Sequence, residues 1–389
     1  MYYPTGKRWI GHKDYNQTMK PITYRIALAG LGNVGSALLT ILHREAAALR
    51  QRYGVEFIIT GVAELGGSAL DENGLDPALL LEKLHAKQPV ASLSVVGRPG
   101  MDAASLLAAA KPDILLEATP VNLQHGQPGL GLVQSALQQG IHVVLANKGP
   151  LALAYQELAK DSDLHNGWGS HYQPSPQLKP ALRFSACVAG ALPSINLGWR
   201  DLAGCRITRL EAVFNGTTQY ILRAMETGQS YAAALSDAQQ RGIAETDPSL
   251  DVEGWDAAAK LVIVANAVLG QATQLADVDV RGIQNLSHAD IQQTQRDGKR
   301  MVLVCLAEWV DQQYRLSVQP TALPSDHPLS RLTPDEMGVV YYTEDVERLS
   351  AASSEPSAAP AAAAMLRDML EIIRCPSRAE PQPIAAQPL

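Results

Sequence analysis

A glycine-rich turn near the start of the chain constrains the fold more than any other feature. A short apolar run, YRIALA at 24–29, is followed by GLGNVG at 30–35 and then by a long helix-like stretch. In such a motif the first glycine allows a tight turn, the second lets the backbone approach a pyrophosphate, and the third lets the helix pack on the strand. The motif therefore predicts a dinucleotide site, with a glycine-rich turn of another α/β protein as the alternative. The predicted cofactor contacts of this turn are Gly30, Gly32, Asn33, Val34 and Gly35.

Apolar runs separated by helical stretches indicate a doubly wound parallel sheet in the first part of the chain. Further runs occupy 56–63, 113–118 and 142–146, and helical stretches precede the last two. We therefore place a Rossmann-type α/β domain, which binds NAD or NADP, at about 24–152.

The pattern changes in the second half of the chain. Apolar runs at 301–309 and 314–319 predict a hairpin, and the runs at 181–185 and 206–214 are assigned to the same mostly antiparallel sheet. This pattern predicts an α+β substrate-binding and dimerisation domain at 153–324.

The remaining segments are assigned from composition. We expect a polar extension at 1–23, a return of the chain to the first domain over about 325–373, and a disordered tail at 374–389. The stretch 350–364 is rich in Ser, Ala and Pro, which is typical of a linker.

Composition and charge exclude several classes of protein. The net charge is −7 and there is no basic run, which argues against a nucleic-acid surface. The sequence contains no run of about 18 apolar residues, so no membrane span is predicted. The four cysteines are widely spaced, which argues against a zinc knuckle and fits a reducing compartment such as the cytoplasm. The N-terminus lacks the apolar core of a secretory signal, and we expect the natural start at Met1 or Met19.

Residues that end two further strands are expected at the cofactor. Glu64 ends the second strand, where a carboxylate binds both ribose hydroxyls and repels a 2′-phosphate. No Lys or Arg lies between Arg52 and Lys83, so we predict a preference for NAD over NADP. A solvent-facing loop acid is the alternative interpretation of Glu64. Thr119 and Pro120 end another strand and are expected to line the nicotinamide side.

The most informative stretch runs from Glu245 to Lys260 and places five acids before one lysine. The apolar sequence that follows predicts a buried helix. Asp256 and Lys260 lie four residues apart on one helical face, and Val264 and Val268 continue that face toward the core. Because a buried lysine is rare without a partner, we infer a paired lysine inside a site. An exposed ion pair at the helix start is the alternative.

Other residues of this region suit an amino-acid substrate. The acids Glu245, Asp247 and Asp251 are predicted to bind an ammonium group. An Asn-Gly turn also opens a helix here, and the amides of Gly216 and Thr217 are expected to bind a carboxylate.

A second lysine, Lys148, directly follows an apolar strand. It stands at the carboxyl edge of the predicted parallel sheet, where ligands bind, and it precedes a Gly-Pro turn. This position favours a role at the cofactor or substrate, with an exposed loop lysine as the alternative.

Five motifs in order resemble the homoserine dehydrogenase family. The family pattern comprises GxGxVG, ANKxxLA, V-x-G-x-x-P-x-I, NGTxNYIL and E-x-D-P-x-x-D-x-x-G-x-D-x-x-x-K. The last two are highly specific in combination, and the resemblance extends over about 24–373. The matching segments are 30–35, 146–152, 188–195, 215–222 and 245–260.

The resemblance implies an activity and roles for individual side chains. It implies the reversible NAD(P)-dependent oxidation of homoserine to aspartate 4-semialdehyde, in threonine and methionine biosynthesis, by a homodimer. Lys260 and Lys148 are implied as the proton-transfer groups, with Asp256 orienting Lys260. A lysine can transfer this proton only if its pKa falls or a proton relay is arranged, through burial and a neighbouring cation.

The sequence departs from the family at two places. Ser185 stands where a family glutamate helps to bind a structural monovalent cation, which leaves the carbonyls of Val188, Gly190 and Leu192 as candidate ligands for an ion such as Na⁺. The family's GxGAG loop is replaced at 353–360 by a stiffer sequence that is less able to approach the cofactor. No C-terminal regulatory ACT domain is expected.

These departures leave two alternative functions open. One is a related dehydrogenase that acts on a different amino alcohol or amino-acid semialdehyde. The other is a non-catalytic NAD(P)-binding sensor protein, although pure binding would not require the two lysines and their aspartate.

Overall fold

The computed structural model describes residues 21–164 and 179–374. Within these ranges the chain forms two β-sheets, and helices pack against both. Nearly all of the expected extension at 1–23 and of the expected tail at 374–389 lies outside the described residues. In the same ranges no helix is long and apolar enough to cross a membrane.

The helices follow the predicted alternation with strands in the first part of the chain. The first of them, α1, buries an apolar stripe and ends at Gly54, which adopts the left-handed conformation with φ 67°. In chain order the described helices are α1 (Asn33–Tyr53), α2 (Pro77–His85), α3 (Ala103–Ala110), α4 (Gly129–Gln138), α5 (Gly149–Asp161), α6 (Ser194–Asn196), α7 (Gly216–Glu226), α8 (Tyr231–Gln240), α9 (Ser249–Val252), α10 (Trp255–Ala267), α11 (His288–Arg296) and α12 (Ala359–Arg374).

The first sheet is the predicted doubly wound sheet. Its strands in the described ranges are β1 (Ile22–Ala29), β2 (Val55–Glu64), β3 (Gly67–Leu70), β4 (Gly97–Pro99), β5 (Ile114–Glu117), β6 (His142–Leu145) and β7 (Leu182–Arg183). They lie in the order β4-β3-β2-β1-β5-β6-β7, and all pairs are parallel except those of β3 with its neighbours. The order reverses between β1 and β5, where ligands bind in open α/β sheets. The Rossmann-type fold is confirmed.

The second sheet is mostly antiparallel, as predicted. Its strands in the described ranges are β8 (Ile207–Val213), β9 (Val278–Val280), β10 (Lys299–Val310), β11 (Gln313–Pro324), β12 (Glu336–Thr343) and β13 (Glu347–Ser354). They lie in the order β13-β12-β8-β10-β11-β9, and only the β9–β11 pair is parallel. The predicted hairpin is β10–β11, and its two turn residues, Asp311 and Gln312, have φ values of 52° and 66°. Positive φ at both positions matches the twist of the flanking strands.

The assignment of the run at 181–185 to the second sheet is wrong. Its residues Leu182 and Arg183 form β7, which pairs in parallel with β6 at the edge of the first sheet. A two-residue strand carries no alternation pattern that would assign it to either sheet.

The linker predicted at 350–364 is also wrong. Residues up to Ser354 belong to β13, and α12 begins at Ala359, so only 355–358 connect the two elements. The edge strand β13 exposes alternate residues to solvent, so small residues such as Ser and Ala are tolerated in it. The return to the first sheet is correspondingly shorter than the expected 325–373, because β12 and β13 extend the second sheet and only α12 packs against α1 and β6.

Candidate active site

The glycine turn after β1 has the steric features of a phosphate cradle. At Gly30, which has φ 97°, an added Cβ would lie 2.3 Å from the Ala118 carbonyl oxygen, and at Gly35 it would lie 2.0 Å from the Gly30 oxygen. At Gly32, the residue before the first turn of α1, nothing lies within 4 Å of an added Cβ. Two glycines therefore permit close packing, and the third leaves open space at a helix N-terminus, which fits a pyrophosphate.

Glu64 lies at the carboxyl end of β2, at the edge of the sheet predicted for the adenosine ribose. Its Oε1 accepts a hydrogen bond from Val90 N at 2.5 Å. The strand β4 places Arg98 close to the end of β2 in space. In the sequence itself no Lys or Arg lies between Arg52 and Lys83. The Arg98 guanidinium donates to the carbonyl oxygens of Val95 and Gly97, at 2.7 and 2.9 Å.

Thr119 and Pro120 lie beside the glycine turn at the switch point. An added Cβ on Gly30 would lie 2.8 Å from Thr119 N. The Asn147 side chain donates to Thr119 Oγ1 at 3.3 Å and to the Pro120 oxygen at 3.4 Å, which ties the ends of β5 and β6 together.

Two lysines, one from the turn after β6 and one from α10, meet at one aspartate. Lys148 Nζ, from the turn between β6 and α5, lies 2.9 Å from Asp256 Oδ1. Lys260 Nζ lies 2.8 Å from Asp256 Oδ2 and donates to the Phe214 carbonyl oxygen at 2.6 Å. The three charged side chains are only 10–16% exposed, so the alternative interpretations of an exposed ion pair and an exposed loop lysine are wrong.

The charges of this cluster support one another. Burial alone would raise the pKa of Asp256, but the ammonium groups of Lys148 and Lys260 hold it well below its usual value. Burial alone would lower the pKa of Lys148, but the Asp256 charge outweighs it and raises that pKa. The lowered pKa that one proton-transfer route requires is therefore not found at Lys148.

Asn215 links this cluster to Asp251 and was not among the predicted site residues. Its Nδ2 donates to Asp251 Oδ1 at 2.7 Å and to Asp256 Oδ2 at 2.8 Å, while its Oδ1 caps α7 at Thr218 N. Burial and the Asp256 charge raise the pKa of Asp251. In the sequence, the Asn-Gly pair before a helix predicts that Asn215 caps the helix. It does not predict that Asn215 bridges two carboxylates.

The structure places Gly216 and Thr217 next to this cluster, at the start of α7. Nothing lies within 4 Å of an added Cβ at Gly216, so the helix N-terminus is open to a ligand. Thr217 is mostly buried, and its Oγ1 donates to the Ile243 carbonyl oxygen at 3.2 Å.

Glu245 and Asp247 lie farther out, on the exposed segment that connects α8 to α9. The Asp247 carboxylate accepts a hydrogen bond from Ser249 N at 3.1 Å. In the described part of the chain no ion pair joins either acid to Lys148 or Lys260.

The turn predicted to bind a monovalent cation already has internal partners. Ser194 donates through Oγ to the Val188 oxygen at 3.3 Å and through N to the Leu192 oxygen at 2.7 Å. Ala189 and Gly190, which lie between Val188 and Leu192 in the sequence, both have left-handed φ values, 61° and 58°. Among the described residues no group of three or more His, Cys, Asp or Glu is arranged to hold a metal ion.

Carboxylates reach this turn from the C-terminal part of the chain. Glu355 Oε1 accepts hydrogen bonds from Ala191 N at 2.9 Å and from Ser353 Oγ at 2.7 Å, and burial raises its pKa. Ser185 N donates to the fully buried Asp368 at 2.7 Å. Glu355 is the only charged residue of the Ser- and Pro-rich stretch at 350–364, and this isolated charge is the sequence signal for its contact with the turn.

Known proteins share this architecture and its motifs. The family model for homoserine dehydrogenase matches residues 193–370, and the model for the homoserine dehydrogenase NAD binding domain matches residues 30–167. The homoserine dehydrogenase of Methanocaldococcus jannaschii is 34% identical over 308 residues, which covers 78% of this chain and 85% of that protein. The chain belongs to the homoserine dehydrogenase family. The predicted family is thus confirmed, and with it the class of NAD(P)-dependent oxidoreductases that act on a CH–OH group.

Two further members of the homoserine dehydrogenase family extend the comparison over most of the chain. The NAD(+)-dependent homoserine dehydrogenase of Pseudomonas canavaninivorans is 33% identical over 361 residues, 91% of this chain and 97% of that one. The crystal structure of homoserine dehydrogenase from Thermoplasma acidophilum superposes with a TM-score of 0.74 at 25% identity, covering 90% of this chain and 99% of that one.

Proposed function

We propose that this chain interconverts homoserine and aspartate 4-semialdehyde, with Lys148, Asp256 and Lys260 handling the proton of the substrate hydroxyl. The observation that carries the proposal is the convergence of two mostly buried lysines, one from the turn after β6 and one from α10, on a single aspartate. The nicotinamide of the cofactor accepts or returns the hydride.

The protonation state of the lysine–aspartate cluster determines its part in each direction of the reaction. Because Asp256 keeps Lys148 protonated, Lys148 can donate a proton to the alkoxide that forms when the semialdehyde is reduced. In the oxidation direction one lysine must first release a proton, so homoserine oxidation is favoured by alkaline pH. The Phe214 carbonyl and Asp256 fix the Lys260 ammonium between them.

The charged groups of homoserine suit the residues around the cluster. The open N-terminus of α7 at Gly216 and Thr217 supports binding of the carboxylate. Asp251, held by Asn215, supports binding of the ammonium group, and Glu245 and Asp247 of the exposed segment between α8 and α9 are proposed to assist it.

A direct assay tests this function. Purified protein is supplied with homoserine and either NAD or NADP, and formation of the reduced cofactor is followed by absorbance. We expect turnover with homoserine; turnover only with other amino alcohols would favour a related dehydrogenase, and cofactor binding without any turnover would favour a sensor.

We also propose that NAD is the preferred cofactor, because the Glu64 carboxylate repels a 2′-phosphate. Replacing Glu64 with glutamine keeps the acceptor for Val90 N but removes the charge. The ratio of kcat/KM for NAD to that for NADP should then fall about tenfold, equivalent to about 1.4 kcal/mol. The exposed Glu72→Gln variant serves as the control and should keep the wild-type ratio. A wild-type preference for NADP would contradict the proposal.

We propose further that no monovalent cation is required. Ser194 already donates to two of the three candidate carbonyls, and Glu355 accepts hydrogen bonds from Ala191 N and Ser353 Oγ in the same turn. The homoserine assay should therefore give the same rate in sodium, potassium and large organic-cation buffers of equal ionic strength.

A homodimer is proposed through the outer face of the second sheet. Helices α7, α10 and α11 contact β10, whereas Leu306 and Glu308, which alternate with the buried Ala307, are half-exposed. The mass in solution should be twice the 41.7 kDa of the chain. A Leu306→Lys variant, which places a charge at this face, should shift the mass toward one chain; a wild-type protein of 41.7 kDa would contradict the proposal.

A further inference from the structure

Glu117, the last residue of β5, is a buried carboxyl group that the proposed proton transfer does not use. It is 0% exposed, and its Oε1 accepts hydrogen bonds from Thr119 N at 2.9 Å and from Thr119 Oγ1. Among the described residues its Oε2 has no hydrogen-bond partner. A buried polar atom without a partner is costly, so its retention here calls for a reason.

A short chain of hydrogen bonds leads from Glu117 to the backbone of Lys148. Thr119 Oγ1 donates to Glu117 and accepts from Asn147 Nδ2 at 3.3 Å. Asn147 Oδ1 in turn accepts from Gly149 N at 2.9 Å. Lys148 stands between Asn147 and Gly149, so this chain fixes the backbone from which its side chain reaches Asp256.

The packing around this chain leaves it little freedom. At Gly129, the first residue of α4, an added Cβ would lie 2.5 Å from Asn147 Nδ2 and 3.3 Å from both carboxyl oxygens of Glu117. The absence of a side chain at Gly129 therefore lets α4 close directly over the Glu117–Asn147 pair.

We propose that Glu117 is a positioning residue for Lys148, acting through Thr119 and Asn147 to fix the turn between β6 and α5. The inference rests on the proposed function, because its effect is measured as homoserine turnover. A displacement of a catalytic group by about 1 Å can cost about 100-fold in rate, so a residue of this kind need not touch the substrate.

The protonation state of Glu117 gives the positioning a pH dependence. Burial raises the pKa of Glu117 to about 7. The ionised form, which prevails above this pKa, accepts the Thr119 hydrogen bonds more strongly than the neutral form that prevails below it. Across the packing, Glu117 interacts with the buried Cys187 thiol, which also interacts with Asp368, Lys148 and Lys260. The Cys187 pKa is raised well above its usual value by burial, so the thiol stays neutral throughout this range.

The experiment compares the pH profiles of wild-type protein and the near-isosteric Glu117→Gln variant at saturating cofactor. We expect kcat for homoserine in the variant to fall about 10- to 100-fold, with KM for the cofactor little changed. The wild-type profile should contain an inflection near pH 7, with lower activity on the acid side, and the variant should lack it. The control is Glu226→Gln, at another mostly buried acid, paired with Arg223 and Arg300 away from this site. It should keep the wild-type inflection.

A second variant keeps the test decisive if Glu117→Gln does not fold. Thr119→Val removes the hydroxyl that connects Glu117 to Asn147 and should lower kcat and abolish the same inflection. A foldable variant of either residue with the wild-type kcat and profile would overturn the positioning role. Failure of the wild-type protein to oxidise homoserine would instead overturn the proposed function itself.

Discussion

Replacing Lys260 with alanine is expected to lower kcat for homoserine oxidation by about 10²- to 10⁴-fold, the usual contribution of a positioned acid–base group. The lysine side chain is 14% exposed and is held between Asp256 and the Phe214 carbonyl. We therefore expect that no group from solvent replaces its ammonium group in the variant. Cofactor affinity should change little, because the glycine turn lies between β1 and α1, whereas Lys260 lies on α10. The measurements are kcat at saturating homoserine and cofactor, and a binding titration of NAD.

Lys299→Ala is the matched control for this variant. Lys299 is an exposed lysine of the second sheet and should retain wild-type kcat and NAD affinity. A Lys260→Ala protein with kcat within about twofold of wild type, well below the usual acid–base contribution, would contradict the assigned role. A variant that lost NAD affinity and rate together would show a structural effect instead.

Replacing Asp256 with asparagine should damage both activity and stability. The substitution keeps the shape but leaves two mostly buried ammonium groups without their shared counter-charge. Removing one partner of a buried ion pair typically costs about 3–5 kcal/mol of unfolding free energy. We therefore expect a clear fall in the free energy of unfolding, measured by denaturant titration, together with at least about a 100-fold loss of kcat.

The pH dependence of stability gives the Asp256 prediction a second readout. The folded-state pKa of Asp256 lies below its usual value, so its stabilising effect is present above about pH 4 and is lost as the pH falls further. The asparagine variant should lack this acid-side loss. Asp237→Asn, at an exposed pair with Arg241, is the control and should change stability little. A fully stable and active Asp256→Asn protein would contradict the account.

The elements that the sequence predicted well are those with strong local patterns. The apolar run and glycine turn around Gly30 predicted strand, turn and helix, because each glycine has its own steric reason. The four-residue spacing of Asp256 and Lys260 predicted their pairing, because residues at this spacing share a helical face.

The contacts that sequence could not predict join distant parts of the chain. Lys148 follows β6 of the first sheet and Asp256 lies on α10, and no local pattern indicates that these two elements will meet. The edge strand β13 has neither β-branched residues nor aromatic residues at 350–354, so its composition is typical of a linker. The role of Glu355 depends on where β13 ends, and it was missed for the same reason.

The burial of Glu117 illustrates a related limit. A glutamate at the end of an apolar strand is ordinarily expected to reach solvent. Its enclosure depends on Gly129 and Asn147, which arrive from the next helix and the next strand.

The central claim is that Lys148 and Lys260 act as one unit through Asp256, and a double-mutant cycle tests it most directly. The measurement is kcat for homoserine oxidation in wild type, Lys148→Ala, Lys260→Ala and the double variant. If the lysines share one proton-transfer step, each single variant should lose nearly as much rate as the double variant, as groups that act as a unit do. Two independent losses that multiply in the double variant, or the absence of a loss in either single variant, would contradict the claim.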